Sequence, residues 1–160
     1  MNRYLTLTAV LAALAAMPAF AQEPVKGVAN PESLFTDTNP KLHANKQAAL
    51  HIMKDLLQCN HWDEAEKWLT ARYVQHNPNV ASGRDPVVKF FGSRPKTPTC
   101  TTLTTPVVAV LAEGDLVTVV IAREYKESKD PSKTYTSTWF DMWRFVGGKA
   151  DEHWDAATKP

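Results

Sequence analysis

Cysteine is nearly absent from this 160-residue chain: Cys59 and Cys100 are the only two. They are not spaced as a metal pair or a redox dithiol, so no C-x-x-C chemistry is available. In an oxidising compartment an even count permits one disulfide; two separate buried thiols are the alternative, and spacing does not choose between them. Glycine is also scarce, at six residues. There is no glycine-rich phosphate loop and no G-x-S-x-G elbow. H-x-H and H-E-x-x-H are missing too. A metal site would need His76, His153 and a carboxylate to converge by folding alone, so neither metal nor cofactor is expected. No basic run or stripe occurs, which excludes nucleic acid as a partner. The lysines are scattered singly and make no patch for an anionic membrane.

Long hydrophobic runs are absent except at the start. Arg3 precedes the apolar stretch Leu5 to Ala16, and Ala19-Phe20-Ala21 has the small-x-small form of a cleavage site. The run is too short for a good transmembrane helix. Residues 1–21 are therefore expected to be a signal peptide, with a periplasmic or secreted product and no membrane attachment after cleavage. The remaining 160 − 21 = 139 residues support one domain. Removing Arg3 from the 18 Lys+Arg leaves 17 against 17 Asp+Glu, a balanced chain.

Gln22 to about Thr38 is polar, has no apolar period, and is expected to be a flexible lead-in. The domain then occupies 39–160. Asn39-Pro40 opens a helix, with Asn as cap and Pro in the first turn. Leu42, Ala49, Leu50, Met53, Leu56 and Leu57 form its buried stripe as far as Cys59-Asn60. A second helix starts at His61-Trp62-Asp63 and buries Ala65, Trp68 and Leu69. Trp62 and Trp68 are expected in the core; His43, His51 and His61 are expected to be solvated. The segment Tyr73 to Pro78 breaks that helix and runs extended. A third helix spans Pro86 to Phe91. From Thr101 the period becomes two, with strands at Leu103–Leu111, Leu116–Tyr125, Thr134–Phe145 and Ala150–Ala157. Helices followed by antiparallel strands make an α+β fold, in which a curved sheet over a helical layer leaves a cone open at one end.

The last two strands hold the candidate chemistry. A hairpin that keeps odd positions on one face groups Asp141, Trp143, His153 and Asp155. Two neighbouring carboxylates beside apolar surface cannot both ionise easily, which favours a base and an acid from one residue type. His153 between them suits proton transfer or holding a carboxylate in place. Trp139 and Trp143 fall on the same parity and supply a flat apolar wall. Arg144 and Glu152 share the other face and pair across the hairpin. Tyr73, Gln75, His76 and Asn77 form a polar-aromatic cluster on an irregular segment. Of these, Tyr73, His76 and Asn77 can stabilise a developing oxyanion.

Three stretches in order then carry a resemblance: Tyr73-Val74-Gln75-His76-Asn77-Pro78, Ala112-Glu113-Gly114-Asp115-Leu116-Val117, and Asp141-Met142-Trp143-Arg144-Phe145 closing on Glu152-His153-Trp154-Asp155. Together they resemble the SnoaL-like branch of the NTF2-like superfamily, over about residues 42–157. The resemblance implies an NTF2-like cone, three N-terminal helices packed in a curved antiparallel sheet, dimeric through that sheet, with a pocket inside. It implies the chemistry of polyketide cyclases, an intramolecular aldol condensation without metal or cofactor. It makes Asp155 the natural counterpart of the cyclase acid/base, with Asp141 beside it. The chain departs from the pattern at Gly147-Gly148, where an aspartate-glycine turn is usual, and at Ala150-Asp151, where aliphatic residues are usual.

The expectation is an exported, cofactor-independent enzyme of the aldol or isomerase type, acting on a small apolar or carbonyl-containing molecule. Asp141, Asp155, His153 and His76 are its candidate catalytic residues; Tyr73, Asn77, Trp139 and Trp143 are its candidate substrate contacts. The alternatives are a non-catalytic periplasmic binding protein and a partner-docking module that uses Met142, Trp154 and their neighbours.

Overall fold

A computed structural model describes residues 22–160; the expected signal peptide lies outside the described residues. Asn39 begins the long helix. Its side-chain oxygen accepts from the backbone N–H of Lys41 and Leu42, and Pro40 occupies the first turn. Helix α1 runs Pro40–His51 and then widens into π-type turns over Ile52–Gln58. A single turn at Trp62–Glu64 leads into α2, Ala65–Trp68. Strand β1 is Leu69–Gln75 and α3 is Arg84–Phe91. Strands β2 (Val107–Glu113), β3 (Leu116–Lys126), β4 (Thr134–Val146) and β5 (Lys149–Asp155) follow.

The five strands form one sheet in the order β1-β5-β4-β3-β2. β2 to β5 pair antiparallel, whereas β1 lies parallel to β5 at the sheet edge. The core sits between α1 and the sheet. Leu56, Val117, Val119, Trp143 and Ala150 are almost wholly buried there. The alternation read from the sequence accounts for this layer: odd positions of β3 and β4 turn inward while Phe140 and Val146 face out.

Several boundaries differ from expectation. The second helix ends at Trp68, and Leu69 starts a strand, because the free edge of β5 takes β1 as a partner. The expected strand from Leu103 begins only at Val107. Gln58 Oε1 accepts from the backbone N–H of Thr104 and Thr105, and Pro106 has no N–H, so those residues cannot join the ladder. The segment 22–38 is docked rather than flexible. Val25 and Val28 bond Thr136 and Val107, Pro31–Phe35 forms a short 3₁₀ turn, and Phe35 is fully buried. Gly27 permits this contact, since a Cβ there would lie 2.5 Å from Pro106. His51 and His61 are not simply solvated. His51 bonds Asp55 at 2.7 Å and stacks on Trp68, and His61 bonds the Thr97 carbonyl.

Cys59 and Cys100 form a disulfide across 41 residues. Closing a loop of that size is worth about 3–4 kcal/mol through the unfolded chain's lost entropy. It ties the end of α1 to the segment that leads into β2. Among the described residues no helix is long and apolar enough to cross a membrane.

Candidate functional site

The concave face of the sheet and the helical layer enclose a cavity of about 480 Å³. Ile52, Met53 and Leu57 from the widened part of α1, with Val87 and Phe91 from α3, form its apolar side. The widened turns matter because they change which side chains the helix presents. The polar side comes from β1, β4 and β5.

The β4–β5 hairpin sets that polar side through one irregularity. Gly147 and Gly148 both have positive φ (57° and 78°), the geometry of a tight two-residue hairpin turn. Such a turn pairs Val146 with Lys149 and Phe145 with Ala150. Continued without change, it would place Trp143 opposite Glu152. Instead Asp151 is an extra residue, and the register moves to Arg144–Glu152, Trp143–His153 and Asp141–Asp155. The bulge thus restores the odd-numbered face. Asp151 is held by the Thr70 hydroxyl at 2.7 Å and by Arg72, both on β1. Those bonds hold its carboxyl below the ordinary value, Thr70 contributing most and then Arg72.

On the restored face, Asp141 and His153 are both about nine-tenths buried. His153 Nε2 lies 3.1 Å from Asp141 Oδ1, and its Nδ1 lies 2.6 Å from Gln75 Oε1. With an amide oxygen on the Nδ1 side, Nδ1 donates to Gln75 and Nε2 faces Asp141 Oδ1. Parallel pairing of Gln75 with His153 makes this contact. Asp155 is differently engaged: Oδ2 accepts from Asn77 Nδ2 at 2.6 Å and Oδ1 from the Ala157 N–H at 2.9 Å. Asp141 Oδ2 has no protein donor among the described residues. Trp143 Nε1 donates to the Tyr73 hydroxyl at 3.0 Å, and the Tyr73 proton itself has no acceptor among them. Burial, reinforced by the charges of Asp141 and Asp155, pushes the Tyr73 phenol well above its ordinary value, so it remains a donor.

One atom each from Asp141, His153 and Asp155 lies within 4.8 Å of the others, a spacing that could gather a cation. An ion bound there through a ring nitrogen of His153 would have to displace that nitrogen's bond to Asp141 or to Gln75.

Seven of the eight expected site residues line the cavity: Tyr73, Asn77, Trp139, Asp141, Trp143, His153 and Asp155. His76 does not. Strand alternation sends Gln75 and Asn77 inward and His76 outward, where it bonds Glu152 at 2.8 Å and stacks on Trp154. Arg144 joins that outer group, bonding Glu152 and Asp115. Gln75 was legible only as part of a cluster, and parity with Tyr73 and Asn77 is the signal that gives it a role. Arg94 and Arg123 also line the cavity. Arg123 shares the inward parity of Val117, Val119 and Ile121; nothing in the sequence marks Arg94.

A family model described as a SnoaL-like domain matches residues 53–153. The chain belongs to the SnoaL-like family. No curated protein matches it. Solved structures resemble the SnoaL-like domain at low identity. A candidate SnoaL-like polyketide cyclase from Jannaschia sp. CCS1 is 16% identical, with 76% of this chain and 91% of that one covered and a TM-score of 0.52. A protein of unknown function with a cystatin-like fold from Xanthomonas campestris is 15% identical over 72% of this chain and 91% of its own, TM-score 0.51. A candidate ketosteroid isomerase from Kribbella flavida is 16% identical over 73% and 82%, TM-score 0.49. At these identities the likeness is one of fold, the NTF2-like α+β cone.

Proposed function

We propose that this SnoaL-like domain is an exported, cofactor-independent enzyme that removes a proton next to a carbonyl, as in aldol condensation or isomerisation. The observation that carries the reading is a free carboxylate oxygen, Asp141 Oδ2, in the same cavity as a phenol proton with no acceptor, that of Tyr73. Asp141 takes the carbon-bound proton at Oδ2. Tyr73 donates to the carbonyl oxygen as negative charge develops there, and the Trp143 N–H bond to Tyr73 strengthens that donor. His153, oriented by Gln75, keeps Asp141 Oδ1 bonded while the other oxygen works. Asp155 has both oxygens occupied and serves to fix Asn77, so Asp141 rather than Asp155 is the base. Met53, Leu57, Phe91 and Trp139 on the cavity wall suit an apolar substrate.

Export after Ala21 and a homodimer through the outer face of the sheet belong to the same reading. Leu111, Phe140 and Val146 are exposed large apolar residues on the strands that would meet a second copy.

The test is solvent-deuterium exchange at the carbon next to the carbonyl of aromatic ketones. Asp141→Asn should slow exchange about 100- to 1,000-fold, the size of a general-base contribution. Asp155→Asn should slow it much less. Ketones that bind without exchanging in the native protein would leave a non-catalytic binder in its place. Chelation of divalent metals should leave the rate unchanged.

A further inference from the structure

Five arginines lie among the described residues. Three pair with carboxylates: Arg72 with Asp151, Arg84 with Asp85, and Arg144 with Asp115 and Glu152. Arg94 and Arg123 have no carboxylate partner among the described residues, and both line the cavity. No lysine does. The two arginines without a carboxylate partner among the described residues therefore belong to one cavity lining.

The Arg123 side chain and the Arg94 backbone are both held in place. The Arg123 guanidinium lies 3.9 Å from the centre of the Trp139 ring, a cation–π stack that holds its hydrogen-bonding edge free. Arg94 follows α3 on a segment clamped at several points. Asn60 Nδ2 donates to the Arg94 carbonyl, Thr97 N–H donates to the Cys59 carbonyl, His61 bonds Thr97, and the Cys59–Cys100 disulfide closes behind it. Both arginines are exposed as well as cavity-lining, so they stand at the mouth. Asp141 and His153 are buried at the inner end. Trp139 lies two residues along β4 from Asp141, about 7 Å. The cavity thus has a cationic mouth, an aromatic wall and an acidic floor.

We infer that the substrate carries an anionic group, a carboxylate or its equivalent, about one fused-ring length from the reacting carbonyl. Arg94 and Arg123 bind that group. The inference rests on the acid–base reading for the carbonyl end, but the anion site itself does not. Asp141 and Asp155 repel an anion from the floor, so the field admits the molecule in one orientation, with its neutral carbonyl inward. Guanidinium–carboxylate bonds are charge-assisted and two-pronged, which makes Arg the fitting residue type at the mouth.

The probe is 6-acetyl-2-naphthoate, with its neutral methyl ester as control. Binding is measured by calorimetry at low salt, and exchange of the acetyl protons by NMR in deuterated buffer. The native protein should bind the carboxylate about 10-fold or more tightly than the ester, as one or two charge-assisted bonds imply. The preference should shrink at high salt. In the Arg94→Gln/Arg123→Gln double variant it should fall to about twofold or less through loss of those same bonds, with ester affinity kept. Equal binding of acid and ester, a preference that survives the double variant, or no binding of the carboxylate overturns the anion site. Asp141→Asn should keep the preference and lose the exchange. Preference without exchange in the native protein sinks the acid–base reading alone; exchange of both compounds without preference sinks the anion site alone.

Discussion

At the residue scale, the division between His76 and Gln75 shows how much one position along a strand decides. Both are polar, both adjoin the same loop, and histidine is the commoner acid–base residue. Alternation puts the glutamine against His153 and the histidine against Glu152. Glu152 is held below its ordinary value chiefly by that His76 bond, with Arg144 adding to it. His76→Ala should therefore leave proton exchange within about twofold, since the side chain is off the cavity and a partly exposed hydrogen-bonded pair contributes little. Gln75→Leu should slow exchange by about 10-fold or more, because His153 Nδ1 would then be buried without an acceptor and free to adopt the other tautomer. Measured turnover of the two variants checks the assignment; the reverse order would return His76 to the site. Sequence parity favoured Asp141, Trp143, His153 and Asp155 as one face. Which aspartate keeps a free oxygen depends on Asn77 and the Ala157 N–H, groups brought to Asp155 from other segments.

At the element scale, the decisive feature is the bulge at Asp151. A strict two-residue turn and the inward parity of Asp141 and His153 are incompatible unless one residue is added to one strand. The residue added is Asp151. Its carboxylate finds donors on β1, so bulge and parallel pairing of β1 support one another. Asp151→Ala should lower stability by about 1–3 kcal/mol in chemical denaturation, the cost of leaving Thr70 and the strand edge unpaired. It should also loosen His153, read as faster amide hydrogen exchange along β5. Unchanged stability and unchanged exchange would mean that backbone pairing alone sets the register. The wide turns of α1 were equally hidden from the sequence. The apolar stripe announces a helix but not its pitch, and the pitch places Met53 and Leu57 on the cavity wall.

At the scale of the whole molecule, charge pairing predicts a stability profile with two limits. Asp115 lies below its ordinary 3.8 through its Arg144 bond, Asp151 through Thr70 and then Arg72, and Glu152 below 4.5 through His76 and then Arg144. A carboxylate with a lowered folded value binds fewer protons folded than unfolded. Its contribution is complete above the unfolded value and is lost as pH falls through the folded one. Tyr73 is the opposite: its raised value contributes fully below the ordinary 10.0 and is lost as pH rises beyond it. The melting temperature should be flat between about pH 6 and 9, then fall below about pH 4 and above about pH 10. A melting temperature unchanged down to about pH 3 would remove the paired carboxylates from the account. The sequence by itself determined the α+β class, the start of α1, the strand-rich second half and the inward parity, because each rests on local propensity or side-chain period. Tertiary structure alone decided the parallel edge strand, the Cys59–Cys100 bond, the docking of 25–35 and the lining of one cavity by both Arg94 and Arg123. Each of these joins segments far apart in the chain, and such meetings depend on closure of the sheet around the helices, which no local pattern encodes.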